Sequence, residues 1–289
     1  MNRLFFYLLL LSIPLSSCIT YIDDKEMDIK PKLVLHCYLV PQLDTTILVL
    51  TNSAPLFTSN PKKIEPVAHA TVEISDDNRQ WVKMEYDTRL EHYFIPQAQF
   101  PIKEGKTYYV RASASGFETV TSFCTVPYLR EVNLNFILEE SINDTHNGEF
   151  YPWFHHHGYL KWTDYPGEEN YYMFFYKGSY EDYYTGVSRW YWYLQYDVYY
   201  KPCIYSDKGR DGEKMSAFMM IGMLPVYETT MLQTDRNCYL HELSIIDYDG
   251  DLSFFLLEPI QLYSNIKNGY GLFGAFVMKD YIFEFDIEE

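Results

Sequence analysis

The chain has 289 residues, of which 23 are Lys or Arg and 40 are Asp or Glu, giving a net charge of −17. A field of that sign repels nucleic acid and anionic lipid surfaces, which excludes DNA and RNA as a partner class. Past the first residues, no apolar run approaches the roughly 18 residues that a membrane helix requires.

The chain opens on MNRLFFYLLLLSIPLSSC. Arg3 precedes an apolar stretch, Leu4 to Leu11, and small residues follow. That stretch is too short to cross a hydrocarbon core about 30 Å thick, so it reads as a secretory signal. Leu15-Ser16-Ser17-Cys18 resembles the lipobox of bacterial lipoproteins, in which signal peptidase II cuts before the cysteine. The resemblance makes residues 1–17 the signal peptide and Cys18 the lipid anchor, bearing a thioether-linked diacylglycerol and an acylated amine. Several acyl chains, at roughly 0.8 kcal/mol per buried methylene, hold a protein on a bilayer where a single myristoyl chain does not. The competing reading is an ordinary secreted protein whose cleavage site ends in Cys. Loss of residues 1–17 removes Arg3 alone, leaving 22 basic against 40 acidic side chains, a net charge near −18.

Residues 18–31 read as an acidic tether. Asp23, Asp24 and Glu26 resemble the export signal that carries Bacteroidota lipoproteins to the cell surface. The expected location is the outer membrane, lipid-anchored and surface-displayed, against the alternative of its inner leaflet.

From 32 to 127 the chain is a series of period-two segments, as half-buried antiparallel strands require. They run KLVLHCYLV, TTILVLTNS, AHATVEIS, WVKMEY, HYFIP, KTYYVRASA and TVTSFCTV. Ala68, Ala70, Val72 and Ile74 share one face of the third; Tyr108, Val110 and Ala112 face inward on the sixth. Seven strands in this length suit a β-sandwich of immunoglobulin-like size. KEGKTYYVRASASGFETVTS resembles the late hairpin of carboxypeptidase-regulatory and fibronectin-like sandwiches. Residues 128–150 read as a connection, and 151–289 as a second, aromatic-rich antiparallel β domain. Between 150 and 200, 22 of 51 residues are Phe, Tyr or Trp, a bias that favours strands. SAFMMIGMLPVYETTML (216–232) is the best helix candidate, interrupted by Pro225.

After Cys18 there remain Cys37, Cys124, Cys203 and Cys238. An even number in an oxidising compartment permits two disulfides, Cys37–Cys124 and Cys203–Cys238, each within one expected domain; four buried free thiols are the equal alternative.

RWYWYLQYDVYY (189–200) carries the candidate ligand-contact face. On a strand, Trp190, Trp192, Leu194, Tyr196, Val198 and Tyr200 form an apolar side. Arg189, Tyr191, Tyr193, Gln195, Asp197 and Tyr199 form an amphipathic side, suited to a wet contact because Tyr offers rigid area and a hydroxyl. The competing reading is a strand covered by a neighbouring loop.

Asp247, Asp249, Asp251 and Glu258 occupy positions 1, 3, 5 and 12 of a calcium-loop pattern, but position 6 is Leu252 where that loop needs Gly. A hairpin turning at Asp249-Gly250 is the simpler reading. His155 and His157 share a strand face with no fixed-spacing partner to complete a metal site. Asp44-Thr45-Thr46 resembles a short O-glycosylation acceptor, although Thr45 reads first as a strand residue. No catalytic motif and no cofactor is expected.

EPIQLYSNIKNGYGLFGAF (258–276), with the lipobox and the KLVLHCYLV and AHATVEISDD strands, resembles a Bacteroidota lipoprotein family, domain of unknown function 4249. Ser264, Asn265, Gly269, Gly271, Phe273, Gly274 and Ala275 match its closing motif, and residues 128–240 match in aromatic character alone. The motif reads as structural: Asn268-Gly269 supports a positive-φ turn, while Gly271 and Gly274 permit close approach by core or partner. The resemblance implies no activity. It implies an accessory role beside a TonB-dependent transporter barrel. The leading expectation is therefore a non-enzymatic outer-membrane lipoprotein that binds a ligand or caps such a barrel. A stand-alone adhesive module, holding glycan through Tyr191, Tyr193 and Tyr199, is the alternative. A hydrolase would need two carboxylates converging in a cleft of the second domain.

Overall fold

The computed structural model describes residues 30–53, 64–142, 145–146, 149–150, 155–181, 188–194, 203–221, 226–250 and 262–284. Strands dominate it. In chain order they are β1 (Leu33–Leu39), β2 (Thr45–Asn52), β3 (Thr71–Ser75), β4 (Val82–Lys83), β5 (Glu85–Asp87) and β6 (His92–Pro96). There follow β7 (Thr107–Ser113), β8 (Val120–Thr125), β9 (Asn135–Ile142), β10 (Thr145–His146), β11 (Glu149–Phe150) and β12 (His155–Thr163). The last are β13 (Tyr171–Glu181), β14 (Ser188–Leu194), β15 (Ile204–Ser206), β16 (Lys214–Ile221), β17 (Val226–Thr234) and β18 (Tyr270–Glu284). A helix, α1 (Arg236–Gly250), separates β17 from β18. No helix among the described residues is long and apolar enough to cross a membrane.

The alternation in the first half of the sequence becomes a two-layer core. Leu33, Leu35, Cys37 and Leu39 of β1, and Leu48 and Leu50 of β2, are buried against Val72 and Ile74 of β3 and Tyr108, Val110 and Ala112 of β7. One layer is the four-stranded sheet β4-β3-β7-β8; the other belongs to a nine-stranded sheet in the order β14-β13-β17-β18-β1-β2-β6-β5, with β15 also on β13. A three-stranded sheet, β16-β12-β9, and the small β10-β11 ladder complete the set. Segment 128–150, expected as a connection, thus contributes β9 to a sheet.

Strand β18 holds the long sheet together. Its start runs parallel to β1, from Val34↔Tyr270 to Leu39↔Ala275. Its remainder runs antiparallel to β17, from Thr234↔Phe276 to Val226↔Glu284. The described residues from 32 onward accordingly fall in one compact unit.

Two expectations are corrected. The helix sought at 216–232 is instead strands β16 and β17, divided at 222–225 outside the described residues. On β16 buried positions alternate, with Met215 and Ala217 inward, whereas β17 is buried on both faces from Thr229 to Thr234, so neither segment follows a helical period. The hairpin turn at Asp249-Gly250 is the C-terminal end of α1. That helix begins where Asp235 caps it, its Oδ1 accepting the Cys238 N–H at 2.9 Å. It packs Cys238 and His241 inward; His241 Nδ1 lies 2.8 Å from the Tyr263 carbonyl, and Tyr38 Oη donates to Glu242 at 3.4 Å.

The closing motif can now be placed. Asn265 uses its side-chain amide as a substitute strand: Nδ2 donates to the Phe273 carbonyl at 2.7 Å and Oδ1 accepts its N–H at 3.0 Å. Ser264 Oγ accepts the Ile266 N–H at 3.3 Å. Asn268 takes the positive φ, 64°, and Gly269 follows it into β18. Gly271 has φ +105° and lies so close to β1 that a Cβ would overlap the Leu35 carbonyl oxygen. At Gly274 a Cβ would overlap Cys238 Sγ and meet Asp235 Oδ1 at 3.2 Å. What the last strand approaches is therefore the neighbouring strand on one side and the N-terminus of α1 on the other. Phe273 and Ala275 are buried in the first core.

Candidate functional site

The lipid anchor Cys18 and the tether lie outside the described residues, as do Gln195, Asp197 and Tyr199 of the candidate contact face. Arg189, Tyr191 and Tyr193 stand at alternate positions of β14, in register with Tyr180, Gly178 and Tyr176 of β13. Strand β14 ends the nine-stranded sheet, and among the described residues it pairs with β13 alone. An edge strand presents a row of unpaired backbone donors and acceptors, a template on which a further strand can add.

Of the calcium-like pattern, Asp247 and Asp249 stand in the last turn of α1, whereas Asp251 and Glu258 fall outside the described residues. His155, His156 and His157 open β12. Thr45 begins β2 and Thr46 is buried, so both serve the strand. Cys37, Cys124, Cys203 and Cys238 are four buried free thiols, and neither expected disulfide is formed. Burial pushes the thiols of Cys37, Cys124 and Cys238 well above their ordinary range, which leaves them poor nucleophiles.

A cleft that sequence reasoning missed, of about 670 Å³, opens between two loops and the first half of α1. Tyr171 and Tyr239 meet on its lining with their rings tilted and centroids 4.8 Å apart, and Arg236, Asp207 and Asp211 stand on its walls. Burial and the hydrogen bond to Glu169 push Tyr171 up to about 12. Carboxylate oxygens of Asp207 and Asp211 lie within 4.8 Å of each other and of Asp164. All-oxygen donors at such spacing are of the type that holds a hard cation. Each carboxylate is also engaged by the fold. Asp164 accepts from Tyr172 Oη at 2.6 Å and from the Gly212 N–H at 2.8 Å. Asp207 accepts from the Asn170 N–H at 3.0 Å, and Asp211 from the Gly167 N–H at 2.7 Å. Burial, with the neighbouring Asp164 and Asp211 carboxylates, holds Asp207 above its usual range. The three acids thus clamp loop 164–170 to loop 207–213. The sequence signal was a pair of Asp- and Gly-rich loops, TDYPGEEN and SDKGRDGE, too far apart along the chain for spacing to join them.

Arg130 ties the chain before β9 to this region. It makes two hydrogen bonds to Glu168, at 2.5 and 2.7 Å, between the rings of Tyr128 and Tyr165. The Gln233 side chain meets both backbone polar groups of Arg130, at 2.9 and 2.7 Å.

Fold and site define a mainly β protein with one long shared sheet, an aromatic edge strand and a cleft beside a helix. The chain belongs to the family described as Domain of unknown function (DUF4249), whose model matches residues 19–281. No curated protein matches it.

Proposed function

We propose that the chain is a lipid-anchored outer-membrane lipoprotein, displayed at the cell surface, that acts as a non-enzymatic, ligand-binding accessory of a TonB-dependent transporter. The observation that carries the reading is the edge position of β14, whose alternate positions hold Arg189, Tyr191 and Tyr193. A barrel or its loops can extend the sheet there through backbone hydrogen bonds, with tyrosines supplying contact area. The Leu15-Ser16-Ser17-Cys18 sequence supports an anchor and the acidic run at 23–26 supports surface display. Residues 32–127 are read as an immunoglobulin-like or carboxypeptidase-regulatory-like sandwich. Supporting that is the shared core of β1, β2 and β6 with β3, β7 and β8.

Purification at natural expression in mild detergent tests the reading. A barrel protein is expected to co-purify, and Tyr191→Lys with Tyr193→Lys should cut its recovery by about fivefold or more, since charge on an edge strand blocks strand addition. Absence of any barrel from the wild-type preparation would overturn it.

A further inference from the structure

The three-stranded sheet β9–β12–β16 buries one face and bares the other. Leu134 at its margin, Leu160 and Trp162 of β12, and Met215 and Ala217 of β16 turn into the second core. Among the residues whose side chains are described, the register then places three rows on the outward face. Ile137, Tyr159 and Phe218 make one, Asn135, Lys161 and Ser216 the next, and Thr163 with Lys214 the third. Asn133 joins the last two in lining a shallow concavity of about 570 Å³. In the first row Tyr159 and Phe218 meet edge to face at 4.9 Å, and the Lys161 ammonium lies 5.6 Å from the Tyr159 ring. Lys161 and Lys214 are both exposed, and neither forms an ion pair among the described residues. The lining of the concavity contains no carboxylate, in a chain with 40 acidic residues.

From this face we infer a binding site for an acidic oligosaccharide, carboxylated or sulfated. Each row supplies one part of the recognition. The half-buried Tyr159 ring, with the Lys161 ammonium beside it, gives apolar surface for the C–H face of a sugar ring. The neutral amides and hydroxyls of Asn133, Asn135, Thr163 and Ser216 both donate and accept, as sugar hydroxyls require. The lysines take the anions. Lys214 is the diagonal neighbour of Lys161, which sets the two residues about 7–8 Å apart, with their Cβ atoms somewhat closer. Rows repeat at roughly 6.7 Å along a strand, so three of them span a short chain of rings. Two ammonium groups suit a short oligosaccharide, which brings far fewer charges than a nucleic acid does. A densely charged nucleic acid is opposed by the whole-molecule field. An acidic peptide would leave the sugar-like pattern of neutral donors beside an aromatic plane unused. This face lies on a different sheet from β14, so the inference stands or falls separately from the transporter reading.

The test is calorimetry on the full chain in detergent with tetragalacturonate, its fully methyl-esterified form, a heparin-derived tetrasaccharide and hexaglutamate. Binding of tetragalacturonate or of the heparin fragment is expected; binding of tetragalacturonate shows that carboxylates suffice, and binding of the heparin fragment alone points to sulfate recognition. Affinity should fall about tenfold or more in Lys161→Ala/Lys214→Ala and in Tyr159→Ala, and in wild type as salt approaches about 1 M, where the Debye length is about 3 Å. The ester should bind at least tenfold more weakly than the acid. Should the alanine pair lower the melting temperature, Lys161→Gln/Lys214→Gln takes its place with the same loss expected. The inference is overturned if neither anionic sugar binds at millimolar concentration, or if the ester binds as well as the acid. It is equally overturned if the lysine variants bind unchanged or if hexaglutamate binds more tightly than both sugars.

Discussion

Tyr108 accepts the Lys103 N–H at 2.8 Å and donates to the Pro101 carbonyl at 3.0 Å, fastening the approach to β7. Tyr93 does the same for the turn before β3, accepting from Ala70 N–H at 2.9 Å and donating to the Val67 carbonyl at 2.7 Å. Some of the 29 tyrosines therefore serve as backbone clamps whose rings also fill the core. Tyr108→Phe should cost about 0.5–1.5 kcal/mol in denaturant unfolding, because the Lys103 N–H and the Pro101 carbonyl of this turn lose their shared partner; a change below about 0.3 kcal/mol would refute the clamp. The inward placement of Tyr108, Val110 and Ala112 was legible in the sequence, since period two is a local property. The phenol's two partners were not, because they depend on where a turn five to seven residues away folds back. Asp235 gives the pH prediction at this scale. Burial raises its carboxyl above the ordinary 3.8, against the lowering effect of its cap hydrogen bonds. A raised folded value means that the native state binds the proton more tightly than the unfolded chain. Its contribution to stability is thus full below pH 3.8 and is lost as pH rises through the folded value. Asp235→Asn retains a good cap without the charge. Its unfolding midpoint should fall less steeply than wild type's as pH rises from 4 toward 7; parallel slopes would contradict the assignment.

Among elements, α1 shows most clearly why sequence reading failed in places. Its buried side is Cys238 and His241, a weak apolar stripe, and its tail DYDG has the composition of a turn. The Asp235 cap was the available start signal, but strong β-propensity on both sides of it outweighed so short a clue. Strand β18 was legible as a strand, whereas its parallel partnership with β1 joins opposite ends of the chain and leaves no local trace. The helix and strand meet at Gly274, where any side chain collides with Cys238. Gly274→Ala should lower stability by about 1–3 kcal/mol, and Gly271→Ala, which adds positive-φ strain to overlap with the Leu35 carbonyl, by at least as much. Thermal unfolding of both variants checks this; wild-type midpoints would mean that α1 does not seat on β18 as described.

At the scale of the molecule, the mainly β character and the family were legible early, because alternation and the closing motif are both local patterns. The Asp164–Asp207–Asp211 clamp and the bare face of β9–β12–β16 were not, since each is assembled by sheet register. The functional account rests on a body of this kind being tied to a bilayer at Cys18, with β14 turned to a barrel. Mass spectrometry of the native polypeptide from membranes addresses that attachment directly. The account predicts a mature chain beginning at Cys18 and carrying a diacylglycerol on sulfur with an acylated amine. An unmodified amino terminus, at Cys18 or elsewhere, would contradict it.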